Sequence, residues 1–515
     1  MKRLFYTLLF FLPCMLIACG GSDDTPDGDN NPPVVAPPSE EPVDSRLLYN
    51  GIRLPEQWPP VRSSSSELEK GMSPFYLSDK PSVINISVGR QLFVDNFLIE
   101  STNLKRTFYY PEYYSGNPIL TPEQDWEKTG TKGAAFAAPF SDGVWYDEKE
   151  GKYKMWYMAG GGSYATSGAG VTCYAESTDG IHWTKPTLPV VAGTNIVDYN
   201  SERDASVIWL DKQESNASKR YKMFLVARES GKWRYHYKTS PDGKVWRAAV
   251  QSEPIADRST VYKNPFRNVW VYSMRHNVRV DANKLVRARD YNENADPEAG
   301  TKKAEALLSA FWFGPWANEQ HHTDYPNIAP AIYNQDATPY ESIMLGFFSV
   351  WQGPENDVCA SDNVIKRNQV MVGYSRDGYS WFREDMNPFH AVNTTTSDAW
   401  NQGNLQSVAG APLIVGDKLY FYLSGRRLRG TQEITTTGLA MLRRDGFASM
   451  KGTGELQTSL LKFDGSYFFV NANVTGEMKV ELLDPNNKVI EGFSKDECKA
   501  FKAVSYTHLT LPTKA

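Results

Sequence analysis

Ser177-Thr-Asp-Gly-Ile-His-Trp183 returns as Ser240-Pro-Asp-Gly-Lys-Val-Trp246 and again as Ser375-Arg-Asp-Gly-Tyr-Ser-Trp381, with a shortened copy at Arg444-Asp-Gly-Phe447. The aspartates at 179, 242, 377 and 445 lie 63, 135 and 68 residues apart. The middle interval is two periods, so one copy has lost its signature, and the spacing places it near Arg289-Asp290. A fixed period of this size marks a repeat architecture. Asp-Gly favours a tight turn because Gly tolerates positive φ, and the Trp three residues on is available to cover the hairpin. Asp179, Asp242 and Asp377 are therefore read as structural, on the outside of the repeat.

Each copy follows strand-like text. Gly143-Val-Trp-Tyr-Asp147 leads to Tyr153-Lys-Met-Trp-Tyr-Met158, and Ser206-Val-Ile-Trp-Leu-Asp211 leads to Tyr221-Lys-Met-Phe-Leu-Val226. Ser259-Thr-Val-Tyr262, Ala331-Ile-Tyr333 and Leu413-Ile-Val415 open three similar pairs. β-Branched and aromatic runs separated by Gly, Asn, Asp and Lys turns read as antiparallel strands. Five units of four strands predict an all-β fold, a five-bladed β-propeller over residues 84–455. Leu92-Phe-Val-Asp95-Asn-Phe-Leu-Ile99 is the expected segment that closes the ring on the last blade. Residues 456–503 read as the first part of an appended β-sandwich that stops short.

The ends read differently. Lys2 and Arg3 precede an apolar run over residues 4–17, then Leu16-Ile-Ala-Cys19, which is the form of an export signal and too short for a comfortable bilayer span. The Cys after Leu-Ile-Ala resembles a bacterial lipobox, so residues 1–19 are expected to be a lipoprotein signal with Cys19 acylated. Residues 20–45 hold seven acids, six prolines and no base, an extended tether within a lead-in over residues 20–83. Acids close behind Cys19 resemble the surface-export signal of some Gram-negative lipoproteins, which implies an outer-membrane, cell-surface protein held by its lipid alone. Residues 504–515 resemble a translated sequencing adapter and are set apart from the fold.

The formal net charge of −5 is carried entirely by the first 45 residues, so the remainder is about neutral. That argues against a nucleic-acid partner and predicts no strong field around the body. After Cys14 and Cys19, the cysteines 173, 359 and 498 are far apart, with no CxxC, so neither a metal site nor a disulfide framework is expected. No cofactor motif is present. With 14 Trp, 28 Tyr and 24 Phe, the chain suits both strands and sugar-stacking surfaces, and Phe311-Trp-Phe-Gly-Pro-Trp316 is one candidate for such stacking.

In a propeller the first residues of each inner strand line the mouth of the channel. The register set by Asp211 puts Arg203-Asp204 at the start of blade two and Asp257-Arg258 at the start of blade three. Asp142 serves blade one, and Asp324 and Glu341 serve blade four, with Arg275 ending a strand of blade three. Asp142-Gly-Val-Trp-Tyr-Asp147, the first Asp-Gly copy and Arg203-Asp-Ala-Ser-Val-Ile-Trp209, in that order, resemble the clan containing glycoside hydrolase families 32 and 43. The resemblance spans roughly residues 90–450. It implies a five-bladed propeller acting on glycosidic bonds, with Asp204 as the aspartate that stabilises the transition state. Two positions depart from it: the nucleophile position falls near Ala138, and the acid position falls on Asp257.

Glycoside hydrolysis uses two carboxyls flanking one bond. The expected catalytic set is Asp204, Asp257 and Glu341, in one pocket, with Arg203, Asp142, Arg275 and Asp324 binding substrate. The expected activity is hydrolysis of an extracellular poly- or oligosaccharide. The alternative is a surface lipoprotein that binds glycans on the same fold without cleaving them.

Overall fold

A computed structural model describes residues 5–12, 44–63, 71–128, 134–165, 170–199, 201–281, 284–306, 308–396, 398–464 and 468–505, of which 5–12, 281 and 503–505 are backbone only. Cys14, Cys19, the tether up to residue 43 and residues 506–515 lie outside this set.

Five antiparallel sheets follow one another along the chain. Blade one comprises Ala135–Ala138 with Val144–Asp147, Lys152–Ala159, Val171–Ser177 and Ile196–Asp198. Blade two runs Glu202–Leu210, Tyr221–Glu229, Lys232–Ser240 and Arg247–Gln251. Blade three runs Thr260–Asn264, Val269–Asp281, Lys284–Asn294 and Ala310–Phe313. Blade four has three paired strands, Ala331–Tyr340, Ile343–Gly353 and Arg367–Ser375, with single bridges to Phe382 and His390 beyond them. Blade five is Asn404–Val408 with Leu413–Val415, then Lys418–Arg429 and Gln432–Arg443. The innermost strands of successive blades lie side by side, giving the expected five-bladed propeller.

Ring closure differs from expectation. Glu112–Tyr113, not residues 92–99, pairs antiparallel with Met441 and Ala440 of blade five, and Ala135–Phe136 then pairs parallel with Ile434–Thr435. Residues 92–98 form no strand. Instead Asp95 makes a fully buried ion pair with Arg376, the residue before the aspartate of the blade-four Asp-Gly turn. Tyr76 donates nothing to that pair, but its hydroxyl accepts from the Arg376 amide, and Asn50 Nδ2 donates to the Arg376 carbonyl. The described parts of the lead-in, residues 44–63 and 71–83, are thus packed body, with Leu48, Ile52, Leu54 and Tyr76 buried.

The Asp-Gly turns fasten blades together. Gly180, Gly243 and Gly378 have φ of 75°, 77° and 75°. Each offers its carbonyl to an aromatic of the preceding blade: Tyr422 OH to Gly180 at 2.8 Å, Trp156 Nε1 to Gly243 at 2.6 Å, and Tyr262 OH to Gly378 at 3.2 Å. A Cβ on Gly243 would meet the Trp156 ring at 2.3 Å. In blade five, Tyr340 OH of blade four donates to Asp445 at 2.6 Å. The missing copy is at Asn294-Ala-Asp296-Pro297, at the end of the third strand, rather than at Arg289-Asp290, which lies inside that strand. Asp296 keeps the aspartate role, accepting from the Ala299 amide, but Pro replaces Gly and the chain enters a short helix instead.

A further sheet holds Ile84–Asn85, Leu461–Lys462, Phe5–Leu12, Gly454–Thr458 and Ile99–Thr102, with Asn473–Leu483 and Phe501–Ser505 beside them. The segment expected as a separate β-sandwich over 456–503 is therefore interleaved with strands from the start of the chain, including the backbone of residues 5–12. Its core is Ile99, Leu104, Leu456, Val474, Met478, Val480 and Leu482. Among the described residues no helix is long and apolar enough to cross a membrane.

Candidate functional site

Five backbone irregularities recur at the inner strands. In blade two Asp204 is an extra residue between the pairs Arg203–Ala227 and Ala205–Val226. In blade four Tyr333 is extra between Ile332–Val350 and Asn334–Ser349. In blade five Ser407 is extra between Gln406–Ser424 and Val408–Leu423, with φ of 65°. Phe140 in blade one and Arg258 in blade three have φ of 45° and 54°. Bulges and left-handed residues re-aim side chains and are held only where the surroundings over-determine them. One such residue per blade marks a common level of the channel.

Their contacts confirm that they meet. The Arg258 guanidinium lies 5.7 Å from the Phe140 ring centre and 5.6 Å from that of Tyr333. The Asp204 carboxylate accepts from the Arg258 amide at 2.8 Å and pairs with its guanidinium at 3.0 Å. Ser407 Oγ accepts from Asn334 Nδ2 at 3.1 Å, and Ser141 Oγ donates to it at 3.3 Å. Arg289, fully buried, donates to the Arg258 carbonyl at 3.0 Å and so fixes the strained residue from behind. Below this layer Asp336 accepts from Asn334 Nδ2 and the Val408 amide. Burial pushes its carboxyl up to about 7 against the opposing effect of Ser141, Val408, Arg289 and Asn334.

Asp204 and Asp257 are the predicted catalytic residues that the structure brings to this mouth, both acting on Arg258. Asp257 pairs with Arg275, so that predicted binding residue is present too, engaged by a carboxylate. Glu341 is elsewhere. It sits at the far end of the strand Ala331–Tyr340, in the turn to the next strand, where Arg90 pairs with it at 2.8 Å and Arg444 at 3.5 Å. It lies eight positions along the extended strand from Tyr333, roughly 27 Å. Its expected partnership with Asp204 is not formed, because the register puts its strand start at the opposite end of the hairpin.

Arg203 and Asp142 form a buried ion pair at 2.7 Å that joins blades two and one, and burial raises the Asp142 carboxyl although Arg203 opposes it. They are a structural pair, not a substrate-binding one, since both side chains are closed to solvent. Asp324 is largely exposed in the loop before blade four, its amide donating to His322 Nδ1. It touches none of Asp204, Arg258 or Tyr333. The Phe311–Trp316 run is packing: Trp312, Phe313 and Trp316 are buried.

Sequence reading placed Arg258 at the start of blade three without giving it a role, and missed Phe140, Tyr333 and a set of cations. Lys366 Nζ lies 5.9 Å from the Tyr333 ring centre and the Arg287 guanidinium 5.9 Å. Arg426 lies 5.3 Å from Phe140. Burial raises the Tyr333 phenol, but Arg258, Lys366 and Arg426 outweigh it and hold the group below the usual tyrosine value. The signal available in sequence was weak, because a bulge leaves no mark in the strand pattern. Among the described residues no cluster of three or more His, Cys, Asp or Glu side chains could hold a metal.

No family model matches the chain, and no curated protein does. Solved structures similar to it include a glycoside hydrolase at 12% identity and TM-score 0.39, covering 68% of this chain and 93% of that one. An N-acetylgalactosamine deacetylase from F. plautii, in complex with blood group B trisaccharide, matches at 11% identity and TM-score 0.37, covering 63% and 96%. A fructofuranosidase from Schwanniomyces occidentalis, complexed with fructosylnystose, matches at 11% and 0.36, covering 69% of each chain. Overlaps of this extent assign the chain neither a reaction nor a substrate, and the propeller stands on the strand pairing itself.

Proposed function

We propose that this channel mouth binds a poly- or oligosaccharide and hydrolyses a glycosidic bond in it. The observation that carries the reading is the meeting of Asp204, Arg258 and Tyr333, each delivered by an irregular backbone position, at one partly exposed level. Asp204 supplies negative charge to an oxocarbenium-like transition state. Arg258 holds the carboxylate through two donors and fixes its direction. Tyr333 is the proton-transferring group, since its three cationic neighbours make the phenol a stronger acid than usual: it protonates the leaving oxygen as the glycosidic bond breaks, water adds to the anomeric carbon, and the proton that water releases returns to the phenolate. Asp257 acts as a positioning residue by engaging Arg275 beside this set.

Tyr333→Phe is expected to lower turnover by about 10²- to 10⁴-fold, the usual worth of a positioned acid–base group. The phenol donates only while protonated, so wild-type activity falls as pH rises through its pKa, and that alkaline fall sets in below about pH 10, the ordinary tyrosine value. The Phe variant loses the limb. A Phe variant with wild-type turnover and an unchanged pH profile removes Tyr333 from the chemistry.

One observation favours the binding-only alternative: Asp204 and Asp257 are each already engaged by a guanidinium. Wild-type protein that binds glycans from a screened library and cleaves none of them decides for that reading.

The expected export route stands beside the chemistry as a proposal, resting on Leu16-Ile-Ala-Cys19 and the acids that follow, and it entails removal of residues 1–18, and with them the strand Phe5–Leu12, from the mature protein. Cys19→Ala is expected to release the protein from outer-membrane fractions, because one lipidated cysteine is the whole anchor. Unchanged membrane retention in that variant refutes the lipid anchor.

A further inference from the structure

Resting on the carbohydrate reading above, we propose that the glycan bound here carries an acidic group, a carboxylate or sulfate, seated between Lys366 and Arg287 over the Tyr333 ring. Four cations surround Phe140 and Tyr333: Arg258, Arg287, Lys366 and Arg426. Two are matched by a carboxylate at 3.0 Å, Arg258 by Asp204 and Arg426 by Glu433. Among the described residues Arg287 pairs only with Glu355, at 3.8 Å, and that side chain is 58% exposed, a pairing of little worth. Lys366 has no carboxylate within ion-pair distance among the described residues. Positive charge is therefore left over at Lys366 and Arg287 beside Tyr333, while the negative charge of Asp204 and Asp257 is engaged by Arg258 and Arg275.

The backbone shows that this arrangement is built. Lys366 precedes the third strand of blade four, and its carbonyl accepts from Asn404 Nδ2 of blade five at 2.8 Å, which fixes the base of the side chain. Arg287 lies on the long hairpin of blade three, opposite Asn277, and its guanidinium stacks on Trp351 of blade four at 4.8 Å. Stacking leaves the planar edge of the guanidinium to bind an oxyanion in its plane. A sugar ring lying on Tyr333 would place its acidic substituent at Lys366 and Arg287 and a neighbouring glycosidic bond towards Asp204. Tyr333 is ringed by charge of both signs, and an anion at Lys366 supplies what the protein lacks there.

The test is calorimetric binding to the full chain of trigalacturonic acid and galactose 6-sulfate, against the neutral galactotriose and galactose, with sodium sulfate and sodium phosphate as separate titrants. Acidic saccharides are expected to bind tighter than their neutral counterparts by about tenfold or more. That advantage is expected to shrink with added NaCl. Lys366→Ala is expected to reduce the ratio of acidic to neutral affinity by about tenfold, with Lys366→Arg retaining the preference. Equal affinity for acidic and neutral saccharides overturns the acidic subsite and leaves the carbohydrate reading intact. Sulfate or phosphate binding as tightly as the acidic saccharides makes this a free-anion site and also overturns it. If none of the saccharides binds, the carbohydrate reading fails and takes this inference with it.

Discussion

Asp204→Asn is expected to cost about 10³-fold in turnover, the scale of removing one preorganised charge-stabilising group. The amide keeps the shape of the carboxylate and still accepts from the Arg258 amide, so the bulge that presents residue 204 is preserved. What it removes is the negative charge facing the developing positive charge on the sugar. Affinity for the glycan should therefore change little while turnover collapses, a split between kcat and KM that a folding defect would not give. The measurement is single-substrate kinetics on whichever glycoside the wild type cleaves, beside a melting curve for each protein. Activity within threefold of wild type would falsify the role given to Asp204.

The largest stability effect is expected at Trp156. Its ring is fully buried, contacts Tyr174 and Tyr221 edge-on or tilted, and donates Nε1 to the Gly243 carbonyl of the next blade. Trp156→Ala is expected to destabilise by about 3–5 kcal/mol. Gly243→Ala alone is expected to cost about 2–4 kcal/mol, since it forces an L-residue into the left-handed region and presses a Cβ on that same ring. In the double variant the ring is gone and the clash with it, so the two costs should fall short of their sum by about 1–2 kcal/mol. Urea unfolding of the four proteins reads this directly. Strict additivity would mean that the turn and the ring do not bear on each other.

The architecture was largely legible because it is written in periodic features. Strand runs, Asp-Gly turns and their spacing each repeat, and a repeated signal survives the loss of one copy. The lost copy itself was misplaced because Asn294-Ala-Asp296-Pro297 retains the aspartate but not the glycine that made the others recognisable. Closure by Glu112–Tyr113 was unreadable for a different reason: two residues in an outer strand carry no pattern. The site was legible in part. Asp204 and Asp257 followed from register, because each opens an inner strand. Glu341 followed from the same reasoning and fails, since an acidic residue at a strand start says nothing of which end of the hairpin it occupies. Tyr333 and Arg258 depend on a bulge and a left-handed residue, which are outcomes of packing around the channel. The near-zero charge of the body likewise concealed the basic side of the mouth, because a sum is blind to placement.

Ring closure also sets the order of events in folding. Within a blade, neighbouring strands are joined by connections of eighteen residues or fewer and can pair as soon as they exist. The contact that completes the circle unites residues 112–113 with 440–441, more than three hundred positions apart. Search over such a loop is slow, and rates fall as contacts grow more distant in sequence. Until blade five has been made and has captured that short strand, the blade-one and blade-five edges stay unpaired, and unpaired edges invite association between chains. The unfolded chain is exposed to that hazard throughout its longest step, so its yield should depend more on dilution and chaperone holding than on the stability of the finished ring.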